Sequence, residues 1–255
     1  MTIVVGYLWV APPNQATVLP DGTVTWPGVR RIIGESERVA IEFARTVAEG
    51  IGDRLVGITV GDESTAGSAA ASAGLACGLD EAVVVRTEQA PGTAEVAAAI
   101  AAAVATLDDV RLVVLGNSAS DSGTRLLAGY LAGLLRWPVL TDVTDAGFDE
   151  AGLWAETESL RTSRRFRVES AAVLSVTAAA RVPRQMGLRE IMAAGSKPSR
   201  IVTATELGAP KPTALALVGT SELAPSARQG MLIRVSDPDD AAGQVVAELL
   251  AKGLL

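Results

Sequence analysis

The stretch VRLVVLGNSASDSGTRLLAGYLAGLLRWP, residues 110–138, contains the repeating unit from which the first half of the chain is built. Val110 to Leu115 is an apolar run interrupted only by Arg111, typical of a parallel strand that is buried on both faces. A loop of small polar residues follows, and Gly123 to Leu135 has the composition of a helix that Trp137 and Pro138 end. The stretch therefore predicts a strand, a loop and a helix in that order.

Earlier segments of the chain repeat the same order. The predicted strands are Thr2–Val10, Leu55–Val60 and Ala82–Val85, and the predicted helices are Ser36–Glu49, Ser64–Ala76 and Thr93–Ala105. This alternation favours an α/β fold with a doubly wound, mostly parallel sheet, Rossmann-like and similar to the adenine-nucleotide α-hydrolase arrangement. Because crossover connections are right-handed, we expect helices on both faces of the sheet.

After Pro138 the pattern changes to short runs separated by polar turns. These runs predict strands at Val139–Val143, Trp154–Leu160, Arg164–Glu169 and Ala171–Val176, which we interpret as antiparallel additions to the same sheet. Four arginines at strand spacing, namely Arg161, Arg164, Arg165 and Arg167, indicate a solvated strand edge. Pro183–Met192 is interpreted as a loop that enters a short helix.

The chain is predicted to divide at residue 208. Residues 1–208 form the α/β domain of nucleotide-binding type, and residues 209–255 form an extended C-terminal arm interrupted by prolines. The arm ends in a predicted helix, Asp239–Leu250, which Asp237 and Pro238 begin. Two alternatives stay open for this arm: it contacts a partner protein, or it folds back on its own domain.

Composition excludes several classes of function. The 255 residues carry a net charge of −7 without a basic stripe, which argues against nucleic-acid binding. The chain has no histidine and one cysteine, Cys77, so histidine-based triads, most zinc sites and an internal disulfide are excluded. We interpret Cys77 as a small buried side chain and predict no metal site.

The sequence also favours a cytoplasmic protein. The first residues lack the charged and cleavable features of a signal peptide, and a single cysteine suits a reducing compartment. The apolar run Ala97–Ala105 is too short to cross a bilayer.

Ligands of open parallel sheets bind beyond the carboxyl ends of the strands. Three segments follow predicted strand ends: Val10–Ile33, Gly61–Thr65 and Gly116–Thr124. The last of these precedes a helix, and its hydroxyls and backbone N–H groups suit a phosphate. The alternative is a structural helix start with Asp121 or Ser122 as the N-cap residue. No pair of carboxylates suggests acid–base catalysis.

The order of motifs resembles that of electron transfer flavoprotein β subunits. Within 116–138, Gly116, Ala119, Asp121 and the Trp137-Pro138 pair align with the family's nucleotide loop without a gap. The segment PRQMGLREIMAAGSKP, residues 183–198, carries the family's Pro-Arg, exposed Leu and Ile-Met at the expected spacing. The resemblance extends over residues 2–208.

The resemblance implies a non-catalytic electron carrier. Such β subunits pair with an α subunit that holds most of the FAD, bind a structural AMP, and dock flavin or related dehydrogenases. Leu188 would be the docking residue, with Arg184 and Met186 beside it. The nucleotide would be surrounded by Gly6, Val60, Ala119, Ser120, Asp121, Ser122, Gly123, Thr124 and Arg125.

This chain departs from the family pattern at several positions. Where the family loop continues as an Asp run followed by Asn-Gln-Thr-Gly, residues 122–128 read SGTRLLA, and only Asp121 remains of the acidic set. The Asn-Pro pair before the first helix is replaced by Gly34-Glu35, and the lysine-rich stretch by residues 193–197. Either Arg125 serves a phosphate or the nucleotide site is empty. The alanine-rich composition is similar to actinobacterial variants associated with mycofactocin-dependent oxidation.

Two other functions compete with the electron-carrier interpretation. A stand-alone nucleotide-binding protein of the stress type would use the Gly116–Thr124 loop but has no use for an exposed 183–198 segment. A hydrolase is the weakest hypothesis, because the sequence offers no nucleophile–base pair. For Leu188, the alternative to docking is packing inside the fold near Met186 and Ile191.

Overall fold

The computed structural model describes residues 1–119, 123–159, 162–212, 230–234 and 237–254. The chain forms two compact units, Met1–Gly219 and Thr220–Leu255. The predicted boundary at residue 208 thus lies eleven residues before the division between these units, and the functional assignment of the arm stays a prediction.

The first unit contains thirteen strands and five helices among its described residues. The strands are β1 (Thr2–Gly6), β2 (Trp9–Val10), β3 (Thr17–Val18), β4 (Val24–Thr25), β5 (Ile32–Ile33), β6 (Arg54–Gly61), β7 (Glu81–Arg86), β8 (Val110–Gly116), β9 (Val139–Asp149), β10 (Gly152–Ser159), β11 (Thr162–Arg167), β12 (Ala172–Val176) and β13 (Ser199–Thr203). The helices are α1 (Glu35–Ile51), α2 (Ser68–Ala76), α3 (Thr93–Val104), α4 (Leu127–Leu135) and α5 (Leu188–Ala194). A short 3-10 helix covers Pro13–Gln15.

Nine strands form one sheet in the order β11-β10-β9-β12-β8-β1-β6-β7-β13. From β9 to β13 every neighbouring pair is parallel, and only the β9–β10 and β10–β11 pairs are antiparallel. The predicted doubly wound, mostly parallel sheet with antiparallel additions is therefore confirmed.

Side chains of the central strands alternate between two hydrophobic layers. In β1, Val5 joins the layer covered by α1 and α2, whereas Val4 joins the layer covered by α3 and α4. Strand β8 divides in the same way, with Val114 on the first side and Val113 on the second. Helices therefore cover both faces, as crossover connections of one hand require.

Small residues allow helix α2 to lie close to the sheet. A Cβ on Gly74 would lie 2.7 Å from the ring of Tyr7, and a Cβ on Gly57 would lie 2.8 Å from the same ring. The Tyr7 hydroxyl donates a hydrogen bond of 3.1 Å to the Ala70 carbonyl, and burial raises the pKa of Tyr7. The aromatic side chain thus fills space that the two glycines leave free.

Some predicted elements differ from the structure. The first strand ends at Gly6, and Trp9–Val10 pairs separately with Ile32–Ile33. The strand Ala172–Val176 is not an antiparallel addition, because it pairs in parallel with both β8 and β9. Strand β13, which was not predicted, lies parallel to β7 at one edge of the sheet.

The arginine-rich strand lies at the other edge, as predicted. All six residues of β11 are exposed. Arg165 contacts Glu156 at 3.2 Å and stacks 4.0 Å from the centre of the Trp154 ring, while Arg167 contacts Asp149 at 2.6 Å. Arg161 lies outside the described residues. The other three arginines confirm a solvated strand edge.

The second unit contains helix α6 (Pro238–Ala251). The Asp237 side chain accepts a hydrogen bond of 3.0 Å from the Asp239 N–H and caps the helix, with Pro238 in the first turn. The predicted start of this helix is confirmed. Among the described residues, no helix combines the length and hydropathy needed to cross a membrane.

Gly116 at the end of β8 provides a test of the packing between sheet and helix. In Gly116→Ala the new Cβ would lie 2.7 Å from Ser36 Cβ and 2.8 Å from the Ser36 carbonyl carbon at the start of α1. Because backbone must move, we expect the free energy of unfolding to fall by about 1–3 kcal/mol in chemical denaturation. Gly133→Ala in α4 is the control, because among the described residues no atom beyond its chain neighbours and its own helix backbone lies within 4 Å of the new Cβ. It should gain about 0.5–1 kcal/mol, and equal effects would contradict this account of Gly116.

Candidate functional site

A cavity of about 190 Å³ opens at the carboxyl ends of the central parallel strands. Gly6 of β1, Gly116 of β8 and Ser175 of β12 contribute to its floor. The chain proceeds from β1 outward through β6 and β7, then returns to the opposite side of β1 as β8. The cavity thus lies at the switch in strand order, where open α/β sheets bind ligands.

The interior of the cavity combines a few polar groups with an apolar wall. Glu37 of α1 and Ser175 of β12 are each 4% exposed and line it. The Ser36 hydroxyl donates to the Ser118 carbonyl, which ties the start of α1 to the loop after β8. The apolar wall consists of Leu8, Val96, Ile100, Leu115, Leu127 and Ala128.

Arg125 lies at the rim and faces an acidic residue of β9. Its Nη1 atom is 4.0 Å from Asp142 Oδ1, and both side chains are more than half exposed. Both residues have left-handed backbones, with φ of 54° for Arg125 and 55° for Asp142. Asp142 belongs to an irregularity where the β9–β12 register shifts between Leu174 and Val176. Such left-handed backbone conformations cost energy and concentrate at functional sites, so the rim of the cavity has a feature that is typical of such sites.

The structure brings only some of the predicted nucleotide residues to the cavity. Gly6, Ala119, Thr124 and Arg125 line it, whereas Val60 is buried among the apolar residues between the sheet and α3. Gly123 is described but is not among the lining residues. Ser120, Asp121 and Ser122 lie outside the described residues. Nucleotide contact by any of these residues stays a prediction.

Helix α4 begins later than the sequence suggested. It was expected from Gly123, with Asp121 or Ser122 as a structural N-cap, but it begins at Leu127 after Leu126, which has no capping side-chain hydrogen bond. The left-handed backbones of Gly123 and Arg125 delay the first helical turn. The structural N-cap alternative is therefore wrong.

The second candidate site is an apolar surface between residues 182 and 192. We call it the 182–192 surface, and its large apolar side chains with their exposed fractions are Val182 (90%), Met186 (36%), Leu188 (73%), Ile191 (53%) and Met192 (73%). An exposed group of large apolar side chains is typical of a surface that binds another protein. The alternative that Leu188 packs inside the fold is wrong, because most of its surface is exposed.

Contacts with α2 and α1 hold this surface in place. The Cys77 thiol is 3.4 Å from Met186 Sδ, and Arg184 contacts Glu42 at 3.8 Å. The Lys197 ammonium donates hydrogen bonds to the Leu79 carbonyl at 2.6 Å and the Leu75 carbonyl at 3.3 Å. The exposed apolar side chains therefore project from a segment fixed at both of its ends.

Cys77 is the buried side chain on which Met186 rests. It is 8% exposed, and burial raises the pKa of its thiol. The interpretation of Cys77 as a small buried side chain is confirmed. A protonated, enclosed thiol is a poor nucleophile.

Comparison with known proteins agrees with the segment order. Residues 23–207 match the electron transfer flavoprotein domain. An electron transfer flavoprotein subunit beta from Mycobacterium tuberculosis is 24% identical over 245 residues, which cover 92% of this chain and 91% of the relative. The chain belongs to the electron transfer flavoprotein β-subunit family.

Two further relatives of this β subunit come from Acetobacterium woodii and Oryza sativa. The caffeyl-CoA reductase-Etf complex subunit CarD of Acetobacterium woodii is 26% identical and is covered over 100% of both chains. The mitochondrial electron transfer flavoprotein subunit beta of Oryza sativa is 29% identical over 76% of this chain and 78% of the relative. The expected family is confirmed, and these matches do not favour the stand-alone nucleotide-binding alternative.

Two buried polar residues that line the cavity of this β subunit, Glu37 and Ser175, were not predicted from the sequence. Glu37 belongs to a predicted helix in which the sequence singled out no site residue, and Ser175 lay in a strand expected to be antiparallel. Each reaches the cavity from an element that is distant in sequence from the loop after β8, so no local motif identifies it. Hydropathy did contain a weak signal for Ser175, which is the polar residue of a strand whose other residues are all apolar and buried.

The contact between Cys77 and Met186 can be tested by thiol chemistry. In Met186→Ala the cover over Cys77 is removed, so we expect its reaction with an aromatic disulfide at pH 8 to become several-fold faster than in the parent protein. Leu188→Ala is the control, since its side chain points largely to solvent. Equal rates in the parent and Met186→Ala would show that Met186 does not cover the thiol.

Proposed function

We propose that this β subunit pairs with an α-type subunit that holds most of the FAD. The heterodimer accepts electrons from flavin or related dehydrogenases and passes them to a downstream acceptor. The β subunit contributes surfaces rather than catalytic residues. The observation that carries this proposal is the fixed and exposed 182–192 surface in a chain of the electron transfer flavoprotein family.

The form of the 182–192 surface supports docking of a redox partner. Leu188 and Met192 present flexible apolar side chains, which can pack against partners of different shape. Arg184 and Arg189 lie among them and add charge at the edge of the apolar group. Since the segment is held by Lys197 and Cys77, little ordering is needed when a partner binds.

Several further features support a carrier without its own catalysis. The chain has no histidine, and its single thiol is enclosed with a raised pKa. The Acetobacterium relative is named as a subunit of a reductase-Etf complex, which supports assembly with other chains.

We propose residues 209–255 as the arm that contacts the α-type subunit, and the cytoplasm as the compartment. Dehydrogenases of mycofactocin-dependent oxidation are the donor class that the composition favours.

Co-expression tests whether FAD binding requires the α-type subunit. We expect the β subunit alone to purify without flavin absorbance, and the β subunit expressed with the α-type chain of the same genome to purify as a yellow heterodimer. Visible spectra and the subunit ratio are the measurements. A colourless heterodimer, or a β subunit that binds stoichiometric FAD by itself, would contradict the proposal.

The variant Leu188→Ala tests whether Leu188 contributes to the docking of a dehydrogenase or to the stability of the fold. Because Leu188 is 73% exposed, the free energy of unfolding should change by no more than about 0.5 kcal/mol. The rate at which a dehydrogenase reduces the heterodimer should fall at least several-fold, since the central apolar contact of the surface is lost. The readout is flavin reduction at limiting dehydrogenase.

Leu134→Ala is the matched control for the docking test. Leu134 is 46% exposed on α4, and α4 packs on the opposite side of the sheet from α2 and α5. This variant should leave the reduction rate unchanged. Equal losses in Leu188→Ala and Leu134→Ala would remove the docking role from the 182–192 surface.

A further inference from the structure

The chain has four methionines, and two of them, Met186 and Met192, belong to the 182–192 surface. We propose that Met192 is a modification site, at which hydrogen peroxide converts the thioether to a sulfoxide and thereby weakens the docking of a dehydrogenase. The modification depends only on side chains of this subunit, whereas its effect on docking rests on the proposed function. The positions, exposure and neighbours of three sulfur atoms support the proposal.

Met192 lies beside the proposed docking residue. Leu188 and Met192 are four positions apart in α5, so their side chains lie on one face of the helix together with Ile191. All three side chains are more than half exposed. A polar group on the Met192 sulfur would therefore enter the apolar contact that we assign to Leu188.

The three sulfur atoms of this region differ in their access to solvent. Met192 is 73% exposed, Met186 is 36% exposed and Cys77 is 8% exposed. Hydrogen peroxide must reach a sulfur lone pair from solvent, so the most accessible sulfur reacts first. Exposure thus favours oxidation of Met192 over Met186, and of both over Cys77.

A hydrogen bond between two of the sulfurs strengthens this order. The Cys77 thiol donates to Met186 Sδ, with 3.4 Å between the two sulfur atoms. This hydrogen bond engages a lone pair of the Met186 sulfur and makes it a weaker nucleophile. Met192, which is mostly in solvent, is therefore the more reactive of the two methionines.

Cys77 is a poor competitor for the oxidant. Peroxides oxidise the thiolate form of a cysteine, and burial raises the pKa of the Cys77 thiol. A thioether has no proton to lose, so Met192 reacts at neutral pH without prior ionisation. The region therefore combines one open oxidation site with one protected thiol.

The reaction transfers one oxygen atom from peroxide to sulfur. The thioether of Met192 loses two electrons and becomes a sulfoxide, the O–O bond breaks, and hydrogen peroxide is reduced to water. The sulfoxide is polar, and burying it against a partner without a hydrogen bond costs free energy. Methionine sulfoxide reductases reverse the change: two thiols become a disulfide, and the oxygen leaves as water.

Peptide mass spectrometry tests the modification site. The co-expressed heterodimer is treated with hydrogen peroxide, catalase removes the excess at each time point, and the sulfoxide at each methionine is quantified. We expect the sulfoxide of Met192 to form several-fold faster than that of Met186, with Cys77 still reduced when Met192 is converted. Equal or faster oxidation of Met186 would overturn the assignment. The measurement needs no dehydrogenase.

The effect on docking is measured as flavin reduction at limiting dehydrogenase, before and after peroxide treatment of the same sample. We expect the rate of the parent heterodimer to fall several-fold. The rate of Met192→Leu should stay near its own untreated value, because leucine keeps an apolar side chain without a sulfur. Met231→Leu is the matched control, since Met231 is 54% exposed and lies outside the 182–192 surface. It should lose as much of its rate as the parent does. Equal losses in Met192→Leu and the parent would overturn the effect on docking.

Failure of the proposed function gives a different result. If Leu188→Ala keeps the full reduction rate, the docking role of the 182–192 surface is wrong. If Leu188→Ala loses rate but the parent keeps its rate after complete oxidation of Met192, docking stands and the effect of the sulfoxide is overturned. In both cases the order of oxidation decides the modification site.

Discussion

The parallel pairing of β1 on both of its edges is the constraint on which the first unit depends. Its five residues are all buried, and they pair with β6 on one side and β8 on the other. Parallel neighbours require crossover helices, so this single arrangement places α1 and α2 on one face and α3 and α4 on the other. The connections that follow β1 and β8 lead to opposite faces of the sheet, and this divergence leaves the cavity between them.

The fold was predictable where burial leaves a pattern in the sequence. Runs such as Leu112–Leu115 are apolar at every position because both of their faces are covered. Strand β13 was not predicted from the sequence, because only every second one of its five residues is partly buried and the others are exposed. The direction of β12 was also missed, since an apolar run does not reveal whether its neighbours are parallel. The early end of β1 follows from packing of Tyr7 beneath α2, which is a tertiary contact.

The two candidate sites differed in how well sequence could locate them. The 182–192 surface is one contiguous segment, so the order of its residues was enough to single it out. The cavity combines distant segments: Glu37 comes from α1, Ser175 from β12, and the rim pair of Arg125 and Asp142 depends on a register shift in β9. A linear motif can identify the loop after β8 but cannot show which charges surround it.

The arginines of β11 have a consequence for how the molecule associates. An unprotected outer strand offers free backbone groups to which further strands can attach without limit. Here Arg165 and Arg167 hold neighbouring carboxylates and surround that outer backbone with long, hydrated side chains. Growth by edge-to-edge addition is thereby discouraged at this end of the sheet. For the proposed electron carrier, this arrangement favours a discrete particle over a polymer.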